Sequence, residues 1–188
     1  METYVNSLID DLIENCNSLK SLSNKIVEIA DACVEAIKSG NKIIVCGNGG
    51  SASQAQQIVM SMVCKCKKER KAIPAIAITS DMSTITAISN DFGFETIFAR
   101  QIEAIGNSGD IFIGLSTSGN SKNVVSAFEL AKTKGLKTVA LIGKSGSKMD
   151  ELANYSLVVP AKTSAHIQEL HIAVGNILCD LIEQKLFA

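Results

Sequence analysis

The chain has 188 residues, 46% of them hydrophobic and 20% charged, and a formal net charge of −1. This length suits one well-buried α/β domain, so we expect a single domain over residues 1–188, with a helical arm at 1–40 and an α/β core at 41–188. The near-neutral charge gives no electrostatic basis for direct binding to nucleic acid, and no apolar stretch reaches the roughly 18 residues that cross a bilayer.

Apolar residues at helical spacing open the chain between Tyr4 and Lys38, and Gly40 ends the pattern. This arm predicts an apolar stripe that meets a partner subunit; the alternative is that it only covers its own sheet. Five apolar runs then predict strands, at 42–46, 74–79, 110–115, 138–142 and 155–159. Helical patterns occupy 51–64, 95–105, 123–134 and 164–187, with an irregular or short helical connection at 80–90 and a short helix between the last two strands. Strands alternating with helices predict a doubly wound, flavodoxin-like sheet of five parallel strands.

Two loops of small residues follow the first and third predicted strands. The first is the glycine loop, 47–52, and the second is the serine loop, 116–121. Both precede helices, so they lie at the carboxyl edge of the sheet, where ligands bind in such folds. Glycines let a backbone approach a ligand, and hydroxyls and free amides at a helix start favour an anion. We therefore predict a phosphate and the polar body of a small molecule between the two loops.

Cysteine usage indicates a compartment. The six cysteines are scattered, and no secretory signal precedes them, so we expect reduced thiols and a cytoplasmic location. Cys64 and Cys66 are too closely spaced for the usual zinc pair and have no matching second pair, so we expect no metal there.

Four motifs, in order G-N-G-G-S-A (47–52), T-A-I-S-N-D-F-G-F-E (86–95), G-L-S-T-S-G-N-S (114–121) and H-I-Q-E-L-H (166–171), resemble the sugar isomerase (SIS) domain family. More narrowly, the chain resembles the phosphoheptose isomerase branch. That resemblance implies a homotetramer with sites between subunits and sedoheptulose 7-phosphate as substrate. It also implies a set of ligand-binding residues. Sugar-lining positions would be Asn48, Gly49, Gly50, Asn90 and Asp91, phosphate-binding positions Ser116, Thr117, Ser118 and Ser121, and Gln168 would reach the reacting end.

The residues that the branch uses for catalysis are not present at the matching positions. In the phosphoheptose isomerases the helix after the glycine loop carries a histidine and a glutamate one turn apart, and the closing helix carries another histidine. These positions are Gln57, Ser61 and Asn176 here. None of the three titrates near neutral pH or is a strong zinc ligand. His171, one helical turn after Gln168, is the candidate left to share the pocket, and Asp91 and Glu169 are carboxylates that could substitute in principle.

Three functions remain open at this stage. The first, which we favour, is a phosphosugar-binding tetramer without normal isomerase activity, because a second SIS branch, the DnaA initiator-associating proteins, also lacks part of the catalytic set. The resemblance to that branch lies in the closing helix at 176–187, around Ser61 and Met62, and in Glu69-Arg70 followed by 74–77. Leu186 and Phe187 would contact the replication initiator DnaA, or else Phe187 would fold back to close the tetramer core. The second is an active phosphoheptose isomerase, with zinc as its cofactor; under the first function we expect none. The third is a phosphosugar sensor or an enzyme of another SIS branch.

Overall fold

Parallel strands alternate with helices along the whole chain. The computed structural model describes residues 1–188. Its strands are β1 (Ile43–Gly47), β2 (Ala75–Ala77), β3 (Ile111–Ser116), β4 (Lys137–Ile142) and β5 (Tyr155–Val158). Its helices are α1 (Glu2–Ser18), α2 (Ser23–Lys38), α3 (Gly50–Val63), α4 (Met82–Phe92), α5 (Ile97–Ile105), α6 (Lys122–Thr133), α7 (Lys148–Leu152) and α8 (Ser164–Phe187). All strand pairs are parallel in the order β2-β1-β3-β4-β5, which confirms the predicted doubly wound sheet.

The long N-terminal arm is also confirmed, but a 3-10 turn at Leu19–Leu22 divides it into two helices with different surroundings. The second, α2, packs against the sheet and buries side chains such as Ile29 and Cys33. The first, α1, buries no side chain at all. Each alternative for the apolar stripe therefore describes one half of the arm: α2 covers its own sheet, and α1 leaves its apolar side chains uncovered.

Two hydrophobic clusters cover the two faces of the sheet. Successive side chains of a strand point to opposite faces, so Ile43 and Val45 join the cluster beneath α2, α3 and α8, while Ile44 and Cys46 join the cluster beneath α5 and α6. Strands buried on both faces explain why the sequence has continuous apolar runs rather than alternation. No helix of the structure is both long and apolar enough to span a membrane.

The segment after β2 follows the helical one of its two predicted alternatives. Residues 82–92 form an 11-residue helix, α4, where an irregular or short helical connection was expected at 80–90. Asp81 caps this helix, since its carboxylate accepts a hydrogen bond of 3.1 Å from the backbone N–H of Thr84. The sequence pattern was weak because α4 buries no residue fully, so no strong apolar stripe marks it. The edge strand β2 is shorter than predicted because it pairs only with β1.

A buried ion pair joins the closing helix α8 to the loop after α3, residues 65–71, which is rich in lysine and arginine. Glu183 on α8 is 1% exposed and accepts a 3.0 Å hydrogen bond from Arg70 Nε, itself 2% exposed. The same carboxylate accepts three backbone N–H bonds of 2.7 to 2.9 Å from residues 66–68. Burial by itself would raise the pKa of Glu183, but these donors lower it to about 2, from an ordinary value of 4.5. The loop is therefore fixed to α8 by one charged group.

The two last large side chains pack against this region of the chain. Leu186 and Phe187 are partly buried against the core cluster that contains α8, and the guanidinium of Arg70 lies 5.7 Å from the centre of the Phe187 ring. They do not form an exposed apolar knob. This end of the chain therefore folds back onto its own subunit, and its place in a tetramer core stays a prediction.

We expect Glu183→Gln to destabilise the protein by about 3–5 kcal/mol, because it leaves Arg70 buried without its charged partner. The folded carboxyl has the lower pKa, so its contribution is complete above about pH 4.5 and is lost as the pH falls towards 2. The difference between wild type and variant should therefore shrink over that window. Urea denaturation at pH 7, 4.5 and 3.5 measures it.

The matched control is Glu95→Gln, which makes the same change in the exposed ion pair with Lys122. That variant should lose less than about 1 kcal/mol. Equal losses from the two variants would contradict the role given to Glu183.

Candidate functional site

The glycine loop and the serine loop begin side by side. In the parallel pairing of β1 with β3, Cys46 lies opposite Gly114 and Gly47 opposite Leu115. Both strands therefore end at the same level, and both loops leave from the carboxyl edge of the sheet. This is the juxtaposition that the sequence predicted.

A reciprocal pair of amide hydrogen bonds connects the glycine loop to the first turn of α6, directly after the serine loop. Asn48 Nδ2 donates to Asn123 Oδ1 at 2.9 Å, and Asn123 Nδ2 donates to Asn48 Oδ1 at 2.8 Å. Asn123 is 1% exposed and also accepts from the N–H of Val124. From the sequence we predicted no role for Asn123. Its position in the first turn of a helix was nevertheless a signal, because asparagine is better suited to side-chain hydrogen bonding than to helix formation.

The hydroxyls of the serine loop converge on one point. Ser116 Oγ lies 3.0 Å from Ser121 Oγ and 3.4 Å from Ser118 Oγ. The backbone N–H of Gly119 donates to Ser116 Oγ at 3.1 Å, and that of Asn120 donates to Ser118 Oγ at 3.2 Å. These hydroxyls and amides bond to one another and form a cluster of donors that an oxyanion could recruit. Thr117 belongs to the same loop and is half-buried.

Gly119 requires its glycine because its φ is +65° and because a Cβ there would lie 2.1 Å from Ser147 Oγ. The turn is therefore packed against the start of α7. Further along the same turn, the Asn120 side chain accepts a 3.0 Å hydrogen bond from the backbone N–H of Lys148. These contacts hold the serine loop in a single conformation.

Gln168 lies against the glycine loop. A Cβ on Gly50 would be 2.8 Å from both Nε2 and Oε1 of Gln168, so only glycine leaves room for this amide. Gln54 Nε2 fixes the start of α8 by donating to the Gln168 carbonyl at 2.6 Å. Gly49, with φ at +53°, makes the turn into α3. Asn48, Gly49 and Thr79 line a cavity of about 170 Å³ beside this loop.

Asn90 and Asp91 end α4 and are exposed. Asn90 Nδ2 donates to Asp91 Oδ1 at 2.7 Å, so the two side chains bond to each other. Phe94, shortly after them, lines the cavity beside the glycine loop, but neither Asn90 nor Asp91 does. The structure thus brings their segment to the site without bringing their side chains to the loops.

The three positions of the missing catalytic set lie on α3 and α8. Gln57 and Asn176 are exposed, whereas Ser61 is buried and its carbonyl accepts a 2.9 Å bond from Arg70. An amide, a hydroxyl and a second amide do not form a donor set for zinc. No group of three or more His, Cys, Asp or Glu side chains is arranged to hold a metal ion anywhere in the chain. The residues of this chain alone therefore do not fit the zinc that the resemblance implied.

The position of His171 corrects the expectation that it shares the pocket with Gln168. Its imidazole is 0% exposed and lies inside α8's packing against the sheet. Neither ring nitrogen has a partner in hydrogen-bond geometry, although the main chain of Ile142 is close enough to act on the ring. Burial lowers the pKa of His171 from 6.5 to about 4, and Ile142 offsets only part of that shift. His171 is therefore a neutral core residue at pH 7.

We expect the imidazole of His171 to titrate near pH 4 in the folded protein. Since the unfolded ring binds its proton near pH 6.5, this group also costs stability as the pH falls from 6.5 towards 4. Heteronuclear NMR of the imidazole signals between pH 7 and 4 measures the midpoint. His171→Gln, which removes the signal, assigns it.

A midpoint near 6.5 for the assigned signal would show that the ring reaches solvent. It would then return His171 to the list of possible acids and bases.

The chain is similar to known proteins in both sequence and fold. Residues 6–143 match the family model described as SIS domain. The chain belongs to the SIS domain family.

Two relatives of the chain share one name, phosphoheptose isomerase. The chain is 44% identical over 187 residues to a protein of Akkermansia muciniphila named phosphoheptose isomerase, with 100% of this chain and 99% of the relative covered. It is 45% identical over 190 residues to the protein of that name in Sulfurimonas denitrificans, with 100% and 97% covered.

Solved structures agree. The phosphoheptose isomerase GmhA from Neisseria gonorrhoeae superposes with a TM-score of 0.91 at 34% identity, covering 97% of this chain and 98% of the other. A phosphoheptose isomerase from Francisella tularensis gives 0.88 at 40% identity, covering 97% and 96%. These relatives favour the isomerase over the regulator that the sequence analysis preferred.

Proposed function

We propose that this chain is a sugar-phosphate isomerase of the phosphoheptose type, with sedoheptulose 7-phosphate as its substrate. The observation that carries the proposal is identity of 44% or more, over essentially the full length, to proteins named for that activity. The cysteines, all six of them free thiols, support a reducing compartment such as the cytoplasm as its place of action.

In this proposal the serine loop holds the phosphate. Ser116, Ser118 and Ser121 would turn their hydroxyls from one another to the phosphoryl oxygens, each with a loop amide or a neighbouring hydroxyl to support it. The glycine loop would lie along the sugar, and Gln168 would donate its amide to the reacting end. The side-chain amide of Asn48 is already paired with Asn123, so Asn48 would offer the sugar only the hydrogen-bonding capacity that this pair leaves unused.

Proton transfer needs a titratable group that Gln57, Ser61 and Asn176 cannot supply. Two carboxylates follow residues assigned to the site: Asp91 follows Asn90 near the end of α4, and Glu169 follows Gln168 on α8. Glu169 Oε2 lies 2.8 Å from His166 Nδ1, so these two side chains form an acid–base pair in the first two turns of α8. We assign the proton transfer of the isomerisation to this pair, because the Asp91 side chain does not reach the loops.

The three neutral side chains Gln57, Ser61 and Asn176 favour a second candidate function. If no carboxylate replaces the missing set, the chain binds the phosphosugar without turning it over, as the sequence analysis first expected. The DnaA contact is not part of either proposal, because Leu186 and Phe187 pack against the chain's own core.

The deciding experiment is a turnover assay with sedoheptulose 7-phosphate, with and without added zinc, next to a calorimetric binding measurement. We expect turnover by the wild type, and Ser116→Ala combined with Ser118→Ala should weaken binding at least several-fold, since a hydrogen bond to a charged group contributes about 1.5–3 kcal/mol. Glu169→Gln and Asp91→Asn then identify the group that moves the proton.

Binding without turnover in either condition would replace the isomerase by the non-catalytic function. Failure of the wild type to bind the substrate at all would contradict both.

We also propose a homotetramer, supported by the uncovered helix α1. Its side chains Tyr4, Val5, Leu8, Ile9 and Ile13 are exposed although they are apolar. Between the arm and α8 lies a cavity of about 400 Å³ with mostly hydrophobic walls. Apolar surface of this kind marks contacts between subunits.

Replacing Ile9 and Ile13 together by aspartate should leave each subunit folded, because neither side chain is buried, but should reduce the assembly. Light scattering gives the mass, and circular dichroism checks the fold. Asp10→Asn together with Asp11→Asn is the control on the same helix. A wild type that is monomeric at micromolar concentration would contradict the tetramer.

A further inference from the structure

A cavity of about 430 Å³ opens from the serine loop and is not explained by the residues assigned so far. Three connections at the carboxyl edge of the sheet form its walls. Thr117 and Ser118 follow β3, Lys144 follows β4, and Lys162 and Ser164 follow β5. Two hydroxyl residues of the predicted phosphate loop therefore share a cavity with two lysines.

These two lysines carry charges that the protein does not neutralise. Neither Lys144 nor Lys162 forms an ion pair or a side-chain hydrogen bond, although five other lysines of the chain pair with carboxylates. Both are exposed, so their amines can move within the cavity. No Asp or Glu contributes to the walls of this cavity.

A neighbouring cavity does contain acidic side chains. Lys162 also borders a space lined by Asp11 and Glu14 of α1, but it pairs with neither of them. Of these two cavities, Lys144 borders only the one that opens from the serine loop. An anion bound at Ser118 would share its cavity with the ammonium groups of Lys144 and Lys162.

We propose that Lys144 and Lys162 are specificity-determining residues that supply the positive charge of the phosphate site. The inference rests on the proposed function, in which the serine loop binds the phosphoryl group. Hydroxyls and amides position the oxygens of a phosphate but do not balance a dianion, whereas an ammonium group does so as a compact charge. The two lysines thereby select phosphorylated ligands over neutral sugars.

The test is calorimetric titration of sedoheptulose 7-phosphate, and of inorganic phosphate as a minimal probe, into the full-length protein. Lys144→Gln with Lys162→Gln should weaken both affinities by about tenfold or more, because the charge-assisted contacts are lost. The corresponding double arginine variant should retain most of the affinity. The wild type should bind more weakly as salt is raised, and the double glutamine variant should respond less.

The matched control is Lys38→Gln, which removes an equally exposed and unpaired charge from the opposite edge of the sheet. It should change affinity less than about twofold, as expected for a screened distant charge. Affinity of the double glutamine variant within twofold of a wild type that binds would overturn the role of the lysines and leave the phosphate loop standing. A folded wild type that binds neither probe would overturn the proposed function and this inference with it.

Discussion

The parallel pairing of β1 with β3 determines where the glycine loop and the serine loop lie. Because Gly47 and Leu115 are opposite each other, the two loops leave the sheet at one level. The amides of Asn48 and Asn123 then connect the glycine loop to the first turn of α6, directly after the serine loop. A shift of this register would separate the hydroxyls of the serine loop from Gln168 at the glycine loop, so the phosphate and sugar parts of the site depend on the same backbone hydrogen bonds.

Gln57 and Ser61 on α3 and Asn176 on α8 occupy the positions where the resemblance to the phosphoheptose isomerases implied catalytic side chains. Gly175 on α8 lies so close to Ile58 on α3 that a Cβ would be 2.7 Å from that side chain. The two helices are therefore held together by packing around the positions of Gln57 and Asn176. Binding and chemistry can be separated in such a fold, because the proposed phosphate loop does not depend on the side chains at Gln57 and Asn176.

The sequence predicted the sheet, the arm and the two loops, because buried strands and glycine turns leave strong local patterns. It did not predict the burial of His171, since helical spacing indicates a direction but not the depth of packing. It missed the Glu183–Arg70 pair, whose partners lie 113 residues apart and carry no local signal. It missed Lys144 and Lys162 for the same reason: only the fold brings the connections after β4 and β5 to the serine loop.

The central claim is that the serine loop binds the phosphate of a sugar, and a crystal structure of the protein with sedoheptulose 7-phosphate tests it most directly. We predict the phosphoryl group within hydrogen-bond distance of Ser116, Ser118 and Ser121, with the sugar extending towards Gln168. A ligand seated elsewhere, with these three hydroxyls still bonded to one another, would contradict the claim.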